Sequence, residues 1–156
     1  MNESEYVVAE DRLRQVRFHA TSQLGFLFDP NLIHRIGEFI VEKVKQGEAG
    51  GGISHNSLVA GADMPTWVAH RNLLGNVLAL VAIDSYEREG FFVTALVCVQ
   101  SDGQMPTPGF CRFLEDVGLL PTGYAREDCI ELWDHHWKMV VSHYDRPSRL
   151  MSDYSV

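Results

Sequence analysis

The chain has 156 residues, 46% hydrophobic and 22% charged, which fits one globular domain over 1–156 that can bury about two-thirds of its unfolded surface without a staple. Its formal net charge of −8 repels phosphate backbones, which disfavours general nucleic-acid or anionic-membrane binding and suits a protein partner with a basic surface. The longest apolar run, LALVAI at 78–83, is far too short to cross a bilayer, and the polar, acidic start MNESEYVV lacks the order of a signal peptide.

The first 28 residues carry the weakest signal. EDRLRQVRFHA continues as a helix, favoured over 5–17, yet Val16, Phe18 and Ala20 also alternate with polar neighbours as in a half-buried strand. DPNLIHRIGEFIVEKVKQG is an unambiguous helix. Asp29 caps it, Pro30 takes the first position, Leu32, Ile33, Ile36, Phe39, Ile40 and Val44 form an apolar stripe, and Gly47 stops it. GEAGGG at 47–52 is a connector; no Gly-Lys-Ser/Thr follows it, so it is not a phosphate loop.

Ser54 caps a short helix carrying Leu58 and Val59 and ended by Gly61, after which Asp63 and Pro65 open a second, longer one. That outline is a helix-turn-helix, but a recognition helix must present polar and basic groups. The longer helix is instead apolar on nearly every side from Leu73 to Ile83, which marks a buried central helix. Gly75 in its middle predicts a close helix crossing, and Gly90 ends it.

FFVTALVCVQ, β-branched and aromatic, predicts a covered strand, with GGIS and QVRFHA as candidate partners. Thr107 and Pro108 open a further helix running to Gly118, with Phe110, Phe113, Leu114 and Val117 inward. A last helix is expected from Ala125 to Tyr144, followed by a polar tail; residues 1–4 and 146–156 are expected to be mobile. The sum is an α+β, mostly helical fold: about five helices around a long buried central helix, with a small two- or three-stranded sheet.

The block Ile53–Leu119 is similar to a family of small, uncharacterised bacterial and phage-borne proteins. The matching stretches are ISHNSLV, HRNLLGNVLALVAIDSYEREG, TALVCV and GQMPTPGFCRFLEDVG, a little under half the chain. Thr94 and Ala95 stand where that family usually has Leu-Ser, and Cys111 follows Phe110 where a second aromatic is common. The resemblance implies a bacterial or phage context, often linked to mobile elements, and no catalytic residues.

Catalytic and metal patterns are weak. WDHHWKMVVSHY at 133–144 holds three of the seven histidines. On a helical wheel Ile130, Trp133, Val140, Val141 and Tyr144 flank Trp137 as a core stripe, and His135 points away. His136 and His143 share a flank with Cys129, but seven residues separate them by about 10.5 Å along the axis, too far to share an ion. Both are expected to be dispensable. There is no nucleophile elbow. Cys98, Cys111 and Cys129 sit in apolar settings and read as buried reduced thiols of a cytoplasmic protein. The acids Glu127, Asp128, Glu131 and Asp134 complement a helix dipole. No cofactor or metal is implied, and an enzyme is less favoured than a binding protein.

Two groups of residues retain functional weight. Trp67, His70 and Arg71 precede the buried part of the central helix, as interface anchors or as core. MPTPGF places Pro108 and Gly109 at a helix start whose free N–H groups suit an anion. The leading expectation is a non-enzymatic acidic binding module, of the kind that neutralises a toxin or inhibits a bacterial defence enzyme. It would steer onto a basic toxin or nucleic-acid-processing enzyme through Asp84, Glu87 and Glu89. The alternative is a small-ligand or nucleotide-binding protein, or a hydrolase, with a pocket near 102–110 where His70, Arg71 and Asp102 converge. DNA binding through 54–70 is a weaker third.

Overall fold

The computed structural model describes residues 7–47, 52–69, 71–99 and 104–154, without the side chains of 69, 71, 72 and 145–154. Among them, α1 (Glu10–Leu24), α2 (Pro30–Lys45), α3 (His55–Gly61), α4 (Arg71–Glu89), α5 (Pro108–Asp116) and α6 (Arg126–Tyr154) surround two short strands, β1 (Cys98–Val99) and β2 (Met105–Pro106). The fold is α+β and mostly helical, as expected.

Local chemistry sets most helix starts. Asp29 accepts the Asn31 N–H, Ser54 the Ser57 N–H and Thr107 the Phe110 N–H, and Pro30 and Pro108 occupy first-turn positions where no N–H is needed. In α2 the buried side is Leu32, Ile33, Ile36, Ile40 and Val44. Helix α4 packs against both α1 and α2 and against a 3-10 turn at Val93–Leu96. Val77, Val81, Ala82 and Ile83 of α4 are almost wholly excluded from solvent. One cluster of buried side chains runs from Val8 to Val140.

Several expectations need correction. QVRFHA lies within α1, because Leu13, Ala20 and Leu24 form its buried line, at a helical rather than a two-residue period. FFVTALVCVQ is not a strand along its length. Phe92 and Val93 give their backbone N–H groups to side chains, His136 Nδ1 (3.1 Å) and Ser85 Oγ (3.0 Å), so the chain coils into the 3-10 turn instead of needing strand neighbours. Only Cys98–Val99 pair as a strand, antiparallel to Met105–Pro106 in the register Cys98↔Pro106 and Val99↔Met105. The GGIS expectation is met by a parallel bridge between Ile53 and Val97. Gly52 beside it adopts a φ of +76°, and a Cβ there would lie 2.3 Å from Cys98 Sγ.

Asp63 does not cap a helix. It takes a left-handed φ of 51° in the turn after α3, and a 3-10 turn at Thr66–Ala69 precedes α4. Gly61 ends α3 as expected, and it also sits close to a neighbour: a Cβ there would lie 2.3 Å from the Phe39 ring. Gly75 marks no crossing, since a Cβ there meets nothing within 4 Å. Helix α6 continues past Tyr144 to Tyr154.

The largest correction concerns the thiols. Cys111 and Cys129 form a disulfide that ties α5 to α6, leaving Cys98 as the free, buried cysteine. Their apolar surroundings, which suggest inert thiols, are the packed interface of two helices that brings the sulfurs together.

Candidate functional site

The histidine-rich stretch of α6 is core, though along a different line from the one expected. Cys129, Leu132, Trp133, His136 and Val140 are buried, which shifts the stripe from Trp137 toward Cys129. Trp133 Nε1–H donates to the Ala95 carbonyl at 2.8 Å. His136 is 1% exposed, stacks on the Phe92 ring at 4.6 Å and accepts the Phe92 N–H. Its Nε2–H has no hydrogen-bond partner among the described residues. Burial, with a smaller contribution from neighbouring His135, pulls its pKa down from 6.5 to about 3, so the ring is neutral at ordinary pH. It is therefore a structural acceptor and not a dispensable flank residue. His143 faces elsewhere, 3.2 Å from Glu89 and edge-on to Phe91. No group of three metal-ligating side chains occurs among the described residues.

The acids chosen as a steering cluster are separated and paired. Glu87 meets Arg17 of α1, Asp84 lies 2.8 Å from Arg88 and Glu89 sits beside His143. Asp84 and Glu87 share the wall of a small cleft of about 190 Å³ with Arg17, Thr21 and His34. Glu89 belongs to the α6 side. Asp84 and Glu87 are thus each paired with an arginine of the same chain.

Of the anchor trio, only Trp67 lies wholly within the described residues. Trp67 is half-buried against the core. Arg71 is the first residue of α4, with its side chain outside the described set, as are the whole of His70 and Asp102.

Pro108 and Gly109 lie within the described residues. They line a cavity of about 700 Å³ between α3, α4 and α5, where the sequence places a pocket near 102–110. Helix α4 contributes Leu74, Gly75, Leu78 and Ala79 to its wall. Those positions fall on one helical face at i, i+1, i+4 and i+5. Val59 and Ala60 of α3 face them, and Phe110 and Phe113 of α5 close the far side. Phe113 and Phe110 also meet Phe92 edge-on, at 5.1 and 6.5 Å. The polar groups in the wall are His55, Asn56, Thr94 and Thr107. Burial lowers the His55 pKa from its ordinary value, which favours the neutral imidazole.

Of these lining residues sequence reasoning singles out only Pro108 and Gly109 as site residues; the others, with the polar His55, Asn56 and Thr94 among them, escape it. The signal that could have found the space is the set of small residues Ala60, Gly75, Ala79 and Gly109, which leave room where helices would otherwise interlock. No helix of the described residues is long and apolar enough to cross a membrane. Comparison with known protein families, with curated proteins and with solved structures finds no match.

Proposed function

We propose that this chain is a small-molecule-binding protein whose ligand occupies the cavity between α3, α4 and α5. The observation that carries this reading is the cavity itself. Its volume of about 700 Å³ falls within the range of roughly 300–1,000 Å³ of ligand pockets, and a mainly apolar wall with a few polar groups is their usual composition. The cleft is open to solvent on the side of His55, Asn56, Ala60, Gly75, Pro108 and Gly109, which are exposed, and it is floored by buried Leu74, Thr94, Val97, Phe110 and Phe113, so a ligand can enter and bury apolar surface there. Thermal unfolding against nucleotides, metal ions and apolar compounds tests the reading. A ligand present at 100 times its Kd adds about 2.7 kcal/mol of stability, and Gly75→Leu, which projects into the space, should remove that gain. A flat response across all classes would sink the reading.

A second reading keeps a protein partner: an acidic module that occludes a basic surface, acting as an immunity protein or a phage inhibitor of a defence enzyme in the context the sequence resemblance implies. The net charge of −8 and the solvent-facing rings of Phe18 and Phe26, 73% and 98% exposed, support it, because aromatic anchors concentrate interface energy. A partner complex that withstands high salt and ignores both Phe26→Asp and Phe18→Asp would remove it. Disulfides persist mainly in oxidising compartments, so the cytoplasmic location expected from reduced thiols loses its basis with the Cys111–Cys129 bond.

A further inference from the structure

Charged side chains make up 22% of the chain, yet among the described residues none that lines the α3–α4–α5 cavity is Asp, Glu, Lys or Arg. A nucleotide or a carboxylate seated there would meet no cationic side chain among the described wall residues, only the partial positive charge at the start of α5, and burying an ion without a full counter-charge is costly. What the wall offers is neutral hydrogen bonding at a few points. Thr94 and Thr107 are buried, whereas His55 and Asn56 lie on the exposed start of α3. The Thr107 oxygen already accepts the Phe110 N–H at 3.0 Å, which leaves its O–H to donate. Between these groups the surface is aliphatic and aromatic, from Leu74, Leu78, Val97, Phe110 and Phe113.

We infer that the ligand is an uncharged, largely apolar small molecule carrying a hydroxyl or carbonyl, and that nucleotides and other anions are excluded. The inference rests on the cavity being the ligand site. Thr94 and Thr107 hydroxyls meet the polar atom of the ligand, and its body lies along α4 between Leu74 and Ala79. The open sides of Gly75 and Ala60 define the space that it fills.

The test uses the full chain and the neutral fluorescent probe N-phenyl-1-naphthylamine, whose emission rises and shifts to the blue in apolar surroundings. The expected result is saturable probe binding that decan-1-ol displaces, with decanoate and ATP at least about tenfold weaker as competitors, a difference of about 1.4 kcal/mol. Gly75→Leu and, as a second variant on the opposite wall, Ala60→Leu should each weaken probe binding about tenfold or more with the helical circular dichroism spectrum retained. Decanoate or ATP competing as well as decan-1-ol would overturn the neutral class while leaving the cavity as a ligand site. A decanoate advantage lost in Arg71→Ala would do the same and would assign the anion to the first residue of α4. Probe binding unchanged in both folded wall variants, or absent for the wild-type chain, would overturn the inference together with the reading beneath it.

Discussion

His136 shows how one side chain can set the course of a distant segment. Its Nδ1 takes the N–H of Phe92 in the core, so an apolar segment needs no strand partner at that point. Replacing it with phenylalanine keeps the ring and removes the acceptor, leaving a buried N–H unpaired at a cost of about 1–3 kcal/mol. His143→Ala, which removes an exposed pair with Glu89, should cost well under 1 kcal/mol; urea unfolding of the two variants compares them. The His136 pKa of about 3 lies below the 6.5 of the unfolded chain. The unfolded state therefore binds the extra proton, and stability present above pH 6.5 is lost as pH falls toward 3. The contribution reaches a slope of about 1.4 kcal/mol per pH unit. Urea midpoints at pH 7, 5 and 4 should fall, and fall less steeply in His136→Phe. Gly75 behaves oppositely. Because a Cβ there meets nothing, Gly75→Ala should stabilise the chain by up to about 1 kcal/mol of helix propensity, read as a higher thermal midpoint. A lower midpoint would show that this turn of α4 needs glycine for a reason other than space.

At the scale of elements, those with local causes were legible in the chain and those with distant causes were not. The starts of α2, α3 and α5 follow from Asp29, Ser54 and Thr107, each within three residues of the N–H it accepts, and the stripe of α2 follows from its own spacing. The turn at Val93–Leu96 depends on Ser85 and His136, eight and 44 residues from the groups they bind. No window on 91–100 contains that information. The disulfide was hidden for the same reason: its cysteines are 18 residues apart and each looks apolar alone. It joins α5, which supplies the far wall of the cavity, to α6. Closing a loop of that length contributes about 3 kcal/mol in the chain-entropy view. Cys111→Ser and Cys129→Ser should each lower the thermal midpoint and abolish its sensitivity to dithiothreitol. A wild-type midpoint indifferent to reductant would contradict the stabilising role.

For the whole molecule, composition defined class better than activity. The apolar fraction and periodicities were enough for a mostly helical α+β fold, because burial of α4 demands helices on several sides. The candidate site was legible only in position, through the Thr107–Pro108–Gly109 helix start. Its walls come from α3, α4 and α5 together, and the space depends on residues whose side chains are small. Such residues leave no hydrophobic pattern. The Cys111–Cys129 bond also gives the molecule an unusual response to a protease. Pro121, Thr122 and Gly123 are exposed in the connection between α5 and α6, inside the covalent ring that the bond closes. A single cut there should leave one species of full mass on a non-reducing gel and two fragments after reduction. The nicked protein would keep both helices tethered, so cleavage of the backbone need not separate the cavity's far wall from the rest of the fold.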